Sequence, residues 1–390
     1  MERKQFEKQL KSNLIPFWSN LEDTEYGGFY GYVDEDLNVD KKADKGVLLN
    51  SRILWFFSAA YSLFKDEELL KKANAAYHFL TDYCYDTEYG GVYWSVTYDG
   101  KPVDTTKHAY NQAFAIYALS EYYMATRDEK SLKLAFELFG IIEEKCRDND
   151  GYLEAFTVDF KPGDNEKLSE NGVIAGRTMN TLLHVLEAYS NLYKAEKNKT
   201  VADELKAIVD IFEAKVFDKE LGRMRVFFDL EYNSLIDLYS YGHDIETSWL
   251  LDRAAEVLGD PEYTKKIHAM SDVLAEKVKE YAYDENAKAL YNEAENGIVD
   301  KKFVWWVQAE SVIGFYNSFQ KCSERTDHKK TSEEIFSFIL EKLIDPRCGE
   351  WFENILEDGS TDLGRGMVHQ WKCPYHNGRM CIEMCYRLSK

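Results

Sequence analysis

Two kinds of helical pattern alternate along the chain. One carries charge on one face and apolar residues on the other, over residues 66–84, 128–146, 201–217, 261–281 and 331–344, with a shorter copy over residues 1–10. Such stretches predict helices with a wet face. The other kind is almost free of charge. Residues 46–64 hold only Arg52, residues 108–120 hold no formal charge, and the run between Arg177 and Glu187 holds His184 but no charge. Residues 302–321 enclose only Glu310. A helix that is apolar all round predicts burial.

A turn-and-strand motif punctuates the alternation. Asp23-Thr-Glu-Tyr-Gly-Gly28-Phe-Tyr returns as Asp86-Thr-Glu-Tyr-Gly-Gly91-Val-Tyr, and weaker copies follow at Gly151, Gly222, Lys288 and Gly349. The steps are 63, 60, 71, 66 and 61 residues. Six copies with two helices between each describe a repeat architecture rather than a string of separate domains. An open solenoid would leave Arg52 far from the last helix. A closed double ring brings every buried helix to one axis. The expectation is therefore one all-α domain over residues 1–390. It is an (α/α)6 barrel of twelve helices, six inner and six outer, with short β-hairpins at one end.

Composition narrows the function. Acidic residues number 69 against 48 basic ones, a formal charge of −21, so partners with a phosphate backbone or an anionic lipid surface are disfavoured. No run of about 18 apolar residues and no early leader-like segment is found. Seven cysteines at positions 84, 146, 322, 348, 373, 381 and 385 match no zinc or redox spacing. They are expected as free thiols in a cytoplasmic protein, where the sequon at Asn198 carries no glycan. Neither a phosphate loop nor an HExxH motif is present, so no cofactor and no metal are expected.

The polar residues of the inner helices gather near their starts, which places them at one end of the barrel. Arg52 interrupts an apolar helix and needs acceptors. Tyr110 opens the second inner helix. Asn180 and His184 share a face at i and i+4, and His243 and Glu246 share one at i and i+3. Trp305, Trp306 and Glu310 combine flat apolar faces with a carboxylate, a set suited to a sugar. Trp371 and His376 flank Pro374, which fixes His376 in the first helical turn. Each residue has a bland explanation in packing. Together they populate inner positions, whereas His78, His268 and His328 fall on outer helices and are expected at the surface.

The segments Ser51-Arg52-Ile-Leu-Trp-Phe-Phe57, Ser240-Tyr-Gly-His243-Asp-Ile-Glu246, Val304-Trp-Trp-Val-Gln-Ala-Glu310 and Trp371-Lys-Cys-Pro-Tyr-His376-Asn-Gly-Arg379 resemble those of cellobiose 2-epimerases, within the N-acylglucosamine 2-epimerase superfamily. The resemblance implies an (α/α)6 barrel and metal-free inversion at C2 of the reducing-end glucose of cellobiose or lactose, through a cis-enediolate. It implies His243 and His376 as the acid/base pair, His184 as their helper in ring opening, and Arg52 as the group that binds the enediolate oxygens. Tyr110, Asn180, Glu246 and Glu310 would orient residues or hydroxyls, with Glu246 assigned to His243. Trp306 and Trp371 would stack the sugars, and the loop 169–172 would cover the site. A monomer acting on a disaccharide is expected. The alternatives are an N-acylglucosamine 2-epimerase, a mannose-type aldose–ketose isomerase, an inverting glycoside hydrolase using Glu246 and Glu310, or a sugar-binding protein without catalysis.

Overall fold

A computed structural model describes residues 1–168 and 171–389. The charge-free stretches form the inner helices Val47–Phe64, Ala109–Thr126, Met179–Ala195, Tyr241–Leu258, Trp305–Lys321 and His376–Arg387. The amphipathic stretches form the outer helices Glu67–Phe79, Glu129–Lys145, Lys199–Ile211, Pro261–Ala282 and Thr326–Phe338. The sixth outer helix is the N-terminal one, where Arg3–Gln9 runs through a wider π turn, Leu10–Leu14, into Ile15–Ser19. Four of the outer helices open on a side-chain cap: Asp66, Asp128, Asn198 and Asp260 each accept a backbone N–H of the first turn, the usual way to satisfy the orphan donors there.

Each inner helix packs on the next, and the last packs back on the first. The N-terminal helix lies against the last inner helix and takes the sixth outer place. Closed packing is the outcome expected from the alternation of buried and surface helices. The first inner helix is long and apolar enough to cross a membrane by length and composition alone, yet 78% of it is buried inside this ring. It is a core helix.

Strands of two or three residues link the repeats. The strand leading into each of five inner helices pairs antiparallel with a strand of the next repeat: Lys45–Gly46 with Ser95–Val96, Lys107–His108 with Ala155–Phe156, Arg177–Thr178 with Phe227–Phe228, Leu238–Ser240 with Glu293–Glu295, and Phe303–Val304 with Asn354–Ile355. A bridge between Val33 and Val368 joins the sixth repeat to the first. All of these sit where inner helices begin, so the strands frame one end of the barrel.

The repeat turn has a common cause. Asp23, Asp86, Asp148, Asp218, Asp284 and Asp345 each accept a backbone N–H two residues on, the Asx turn that aspartate favours. The turn then needs a positive φ four residues after the aspartate, found at Gly27 (+80°), Gly90 (+79°), Gly222 (+68°) and Gly349 (+81°). Lys288 occupies that place in the fifth repeat at φ +59°, which explains why its copy of the motif is the faintest in sequence.

Candidate active site

The starts of the inner helices converge on a chamber framed by the hairpins. Arg52 is 2% exposed and donates from Nη2 to the Tyr110 hydroxyl at 2.7 Å. Its guanidinium lies 4.1 Å from the Phe114 ring centre and 4.6 Å from that of Tyr375. Its Nε has no partner among the described residues. No carboxylate of the described residues contacts it, so its charge stays available to a ligand oxygen. Tyr110 thus serves Arg52. Its ring also stands edge-on to His184, with centres 5.1 Å apart.

Three histidines face one another here. The Trp306 ring lies between His243 and His376, 4.8 and 5.4 Å from their ring centres. Tyr375 lies 4.6 Å from His376 and 6.2 Å from His184. Each histidine is tied through Nδ1. His184 bonds Glu187 at 2.9 Å, His376 bonds Glu310 at 2.7 Å, and His243 bonds the Ser240 hydroxyl at 2.7 Å. An ionised carboxylate only accepts, so beside one Nδ1 carries the proton and the Nε2 lone pair is free.

This corrects one expectation. Glu246 does not orient His243, although the two are three residues apart on one helix. Its Oε1 accepts from Arg379, while its Oε2 is buried and unpartnered. His243 leans instead toward the strand that leads into its helix. Gly242, which marks a break in the sequence, lies inside the helix. A Cβ there would come within 2.4 Å of the Trp306 ring, so the glycine lets that tryptophan reach the histidines.

Beneath the histidines lies a buried ionic layer. Arg379 donates to Glu187, to Glu246 and, at 2.7 Å, to Glu310. Trp249 Nε1 holds the other oxygen of Glu310 at 3.0 Å, and the Tyr375 hydroxyl bonds Glu187 at 2.5 Å. Burial alone would raise the Glu187 carboxyl, but Arg379 and His184 pull it down to about 2. Burial and the Glu310 charge push Glu246 up to about 7. Burial, with His184 nearby, takes His243 down to about 3. Burial, Arg379 and Arg52 hold His376 well below its ordinary value. Both histidines therefore rest neutral, the state that can accept a proton.

Glu246, Glu310 and His376 bring ligand-type atoms within 4.8 Å of one another. The guanidinium of Arg379 bridges the two carboxylates and supplies the positive charge they face. A cavity of about 670 Å³ opens at the other end of the barrel. Glu187 and Trp249 line its roof, and no histidine borders it.

The remaining expected residues are placed as follows. Trp306 and Trp371 are half-buried, as stacking surfaces must be, whereas Trp305 is 3% exposed and stands edge-on to His376. Trp305 is part of the wall. Asn180 is half-buried, and its Oδ1 has no partner among the described residues. Trp371 is anchored by its backbone N–H to His369 Nδ1 at 3.3 Å, and His369 bonds Glu353 at 3.1 Å. Of the loop 169–172, Ser169 and Glu170 lie outside the described residues. Asn171 bonds Glu293 and Glu295 of a neighbouring hairpin. His328, expected at the surface, is fully buried on an outer helix, where Nδ1 meets Ser318 at 2.9 Å. Its apolar neighbours, including Phe315, cover it. The sequence reading passed over Ser240, Glu187, Tyr375 and Arg379.

Residues 28–376 match the family model described as N-acylglucosamine 2-epimerase. The chain belongs to the N-acylglucosamine 2-epimerase family. It is 51% identical to the cellobiose 2-epimerase of Eubacterium cellulosolvens, over 97% of this chain and 96% of that protein. It is 46% identical to the cellobiose 2-epimerase of Ruminococcus albus, over 97% of both chains. A crystal structure of a sugar epimerase from a ruminal bacterium superposes with a TM-score of 0.97 at 45% identity, covering 99% of each chain. The cellobiose 2-epimerase structure from Bacillus thermoamylovorans B4167 does so at 0.94 and 42%, again over 99% of each chain. A D-mannose isomerase at 19% identity and TM-score 0.83, covering 98% of this chain and 96% of its own, shares the fold. The (α/α)6 architecture of the family is the ring described above.

Proposed function

We propose that this protein reversibly inverts C2 of the reducing-end sugar of a β-1,4-linked disaccharide such as cellobiose, giving the mannose epimer. The observation that carries the reading is the pair of neutral imidazoles, His243 and His376, with His184 beside them and an arginine that no described carboxylate neutralises. Removing a proton α to a carbonyl needs a base and a charge for the enediolate oxygens. His243 and His376 supply bases near Trp306, and the buried Arg52 supplies the charge. His184, backed by Glu187, serves the ring oxygen during opening. Trp306 and Trp371 offer faces to the two sugar rings. The names of the relatives at 46–51% identity support the disaccharide.

An inverting hydrolase fits poorly. Its two carboxylates stand about 6.5–9.5 Å apart with room for water, whereas Glu246 and Glu310 share one guanidinium and are both fully buried. The test is cellobiose in D2O with C2 followed by NMR. Deuterium at C2 with a mannose-type product is expected, and His376→Ala abolishes the exchange while the fold persists. Release of free glucose, or exchange retained in His376→Ala, overturns the assignment.

A further inference from the structure

We propose that Ser240 is a positioning residue that holds His243 as the Nδ1–H tautomer and so keeps the Nε2 lone pair aimed at the sugar. The proposal rests on the epimerase reading, which needs a bare Nε2, and on the geometry that pairs Ser240 Oγ with His243 Nδ1.

Ser240 is the N-cap of the fourth inner helix, yet its side chain accepts no first-turn N–H. Two of the equivalent residues do cap: His108 accepts from Tyr110 N–H, and Thr178 accepts from Thr181 N–H. Serine at this place ordinarily caps. Ser240 is 5% exposed and spends its hydroxyl on the imidazole at 2.7 Å instead. Its backbone is fixed by the strand register with Glu293, so the hydroxyl approaches His243 from a rigid element.

The choice of partner separates His243 from the other two histidines. Glu187 and Glu310 set the Nδ1–H tautomer of His184 and His376 by charge. Glu187 and Glu310, together with Glu246, already contact Arg379, and a further buried carboxylate at position 240 would lack a cation. A hydroxyl accepts from Nδ1–H without adding charge. Were it to donate to Nδ1, Nε2 would carry the hydrogen and could take no proton from C2. In the forward step the C2–H bond breaks, its electron pair forms the C1–C2 double bond of the enediolate, the C1=O π pair moves onto O1, where the Arg52 guanidinium faces it, and the proton goes to Nε2. The Nδ1–H stays hydrogen-bonded to Ser240 Oγ throughout, and delivery of a proton to the opposite face of C2 turns the C1–C2 double-bond pair into the new C2–H bond and restores C1=O.

The test uses the full chain labelled with 15N-histidine, read by two-bond nitrogen–proton correlations without sugar, alongside C2 exchange of cellobiose in D2O. The wild type is expected to show Nδ1–H and bare Nε2 for His243. Ser240→Ala is expected to populate the other tautomer and to lose on the order of 10²-fold in kcat, with KM changed less than about twofold. Ser240→Thr restores both readouts, which a purely structural role at the helix start would not require. A wild-type Nε2–H signal, or Ser240→Ala with tautomer and kcat unchanged, overturns the proposal. A protein inert toward cellobiose with the Nδ1–H tautomer in place overturns the epimerase reading and leaves the placement of Ser240 standing.

Discussion

The guanidinium of Arg379 meets three carboxylates, each of which does a second job: Glu187 fixes His184, Glu310 fixes His376, and Glu246 borders both. Removing one partner of a buried ionic group strands the others, at a cost of about 3–5 kcal/mol. Arg379→Met is therefore expected to lose that much stability in urea, and Arg379→Met with Glu246→Gln to recover part of it. A single variant that melts like the wild type would refute the shared-cation picture. The rule that makes i and i+3 residues neighbours on a helix holds for His184 but not for His243. His184 and Glu187 are three apart, and so are His376 and Arg379. At His243 the same spacing misleads, because Arg379 arrives from another helix and outbids the imidazole for Glu246. No pattern within one helix carries that competition.

At the level of elements, the helices were legible because their patterning is extreme, and the strands were legible only as turns. Strands of two or three residues have no period to read, so their pairing from repeat to repeat is visible only in three dimensions. One consequence lies at the start of the third inner helix. Glu154, on the segment that pairs ahead of it, accepts from Thr178 N–H and from the Thr181 hydroxyl, each at 2.6 Å. Burial pushes its carboxyl up to about 8 despite those donors, against about 4.3 in an unfolded chain. Between those values the folded chain keeps a proton that the unfolded chain has released. Stability contributed by this group is full at low pH and falls as pH rises toward 8, by up to about 1.4 kcal/mol per unit. Glu154→Gln mimics the neutral acid, so urea midpoints from pH 5 to 8 should fall less steeply in the variant than in the wild type. Parallel slopes would mean that Glu154 is ionised when folded. His243 acts in the opposite sense: its neutral burial costs stability as pH drops from about 6.5 through about 3.

For the molecule as a whole, closure decides how the two ends of the chain depend on each other. In an open solenoid each repeat feels only its neighbours, and a terminal repeat frays alone. Here Trp18, fully buried on the N-terminal helix, donates from Nε1 to Glu350 at 2.6 Å. The other oxygen of Glu350 accepts from Asn377 at 2.7 Å. Asn377 sits beside His376 on the last inner helix, so the first helix of the chain supports the segment that carries a proposed base. Deleting the Trp18 ring leaves a cavity worth about 3–5 kcal/mol. In a closed ring that loss belongs to the whole: Trp18→Ala should lower the thermal midpoint by the same amount whether followed by helical signal or by C2 exchange of cellobiose. Trp18→Phe, which keeps a ring and removes only the donor, should fall between the two. Amide exchange adds a second view, since protection of the last inner helix should drop together with that of residues 3–19. Fraying confined to the N-terminal helix, with the exchange activity and the protection of residues 376–387 intact, would mean that the ring touches without closing energetically.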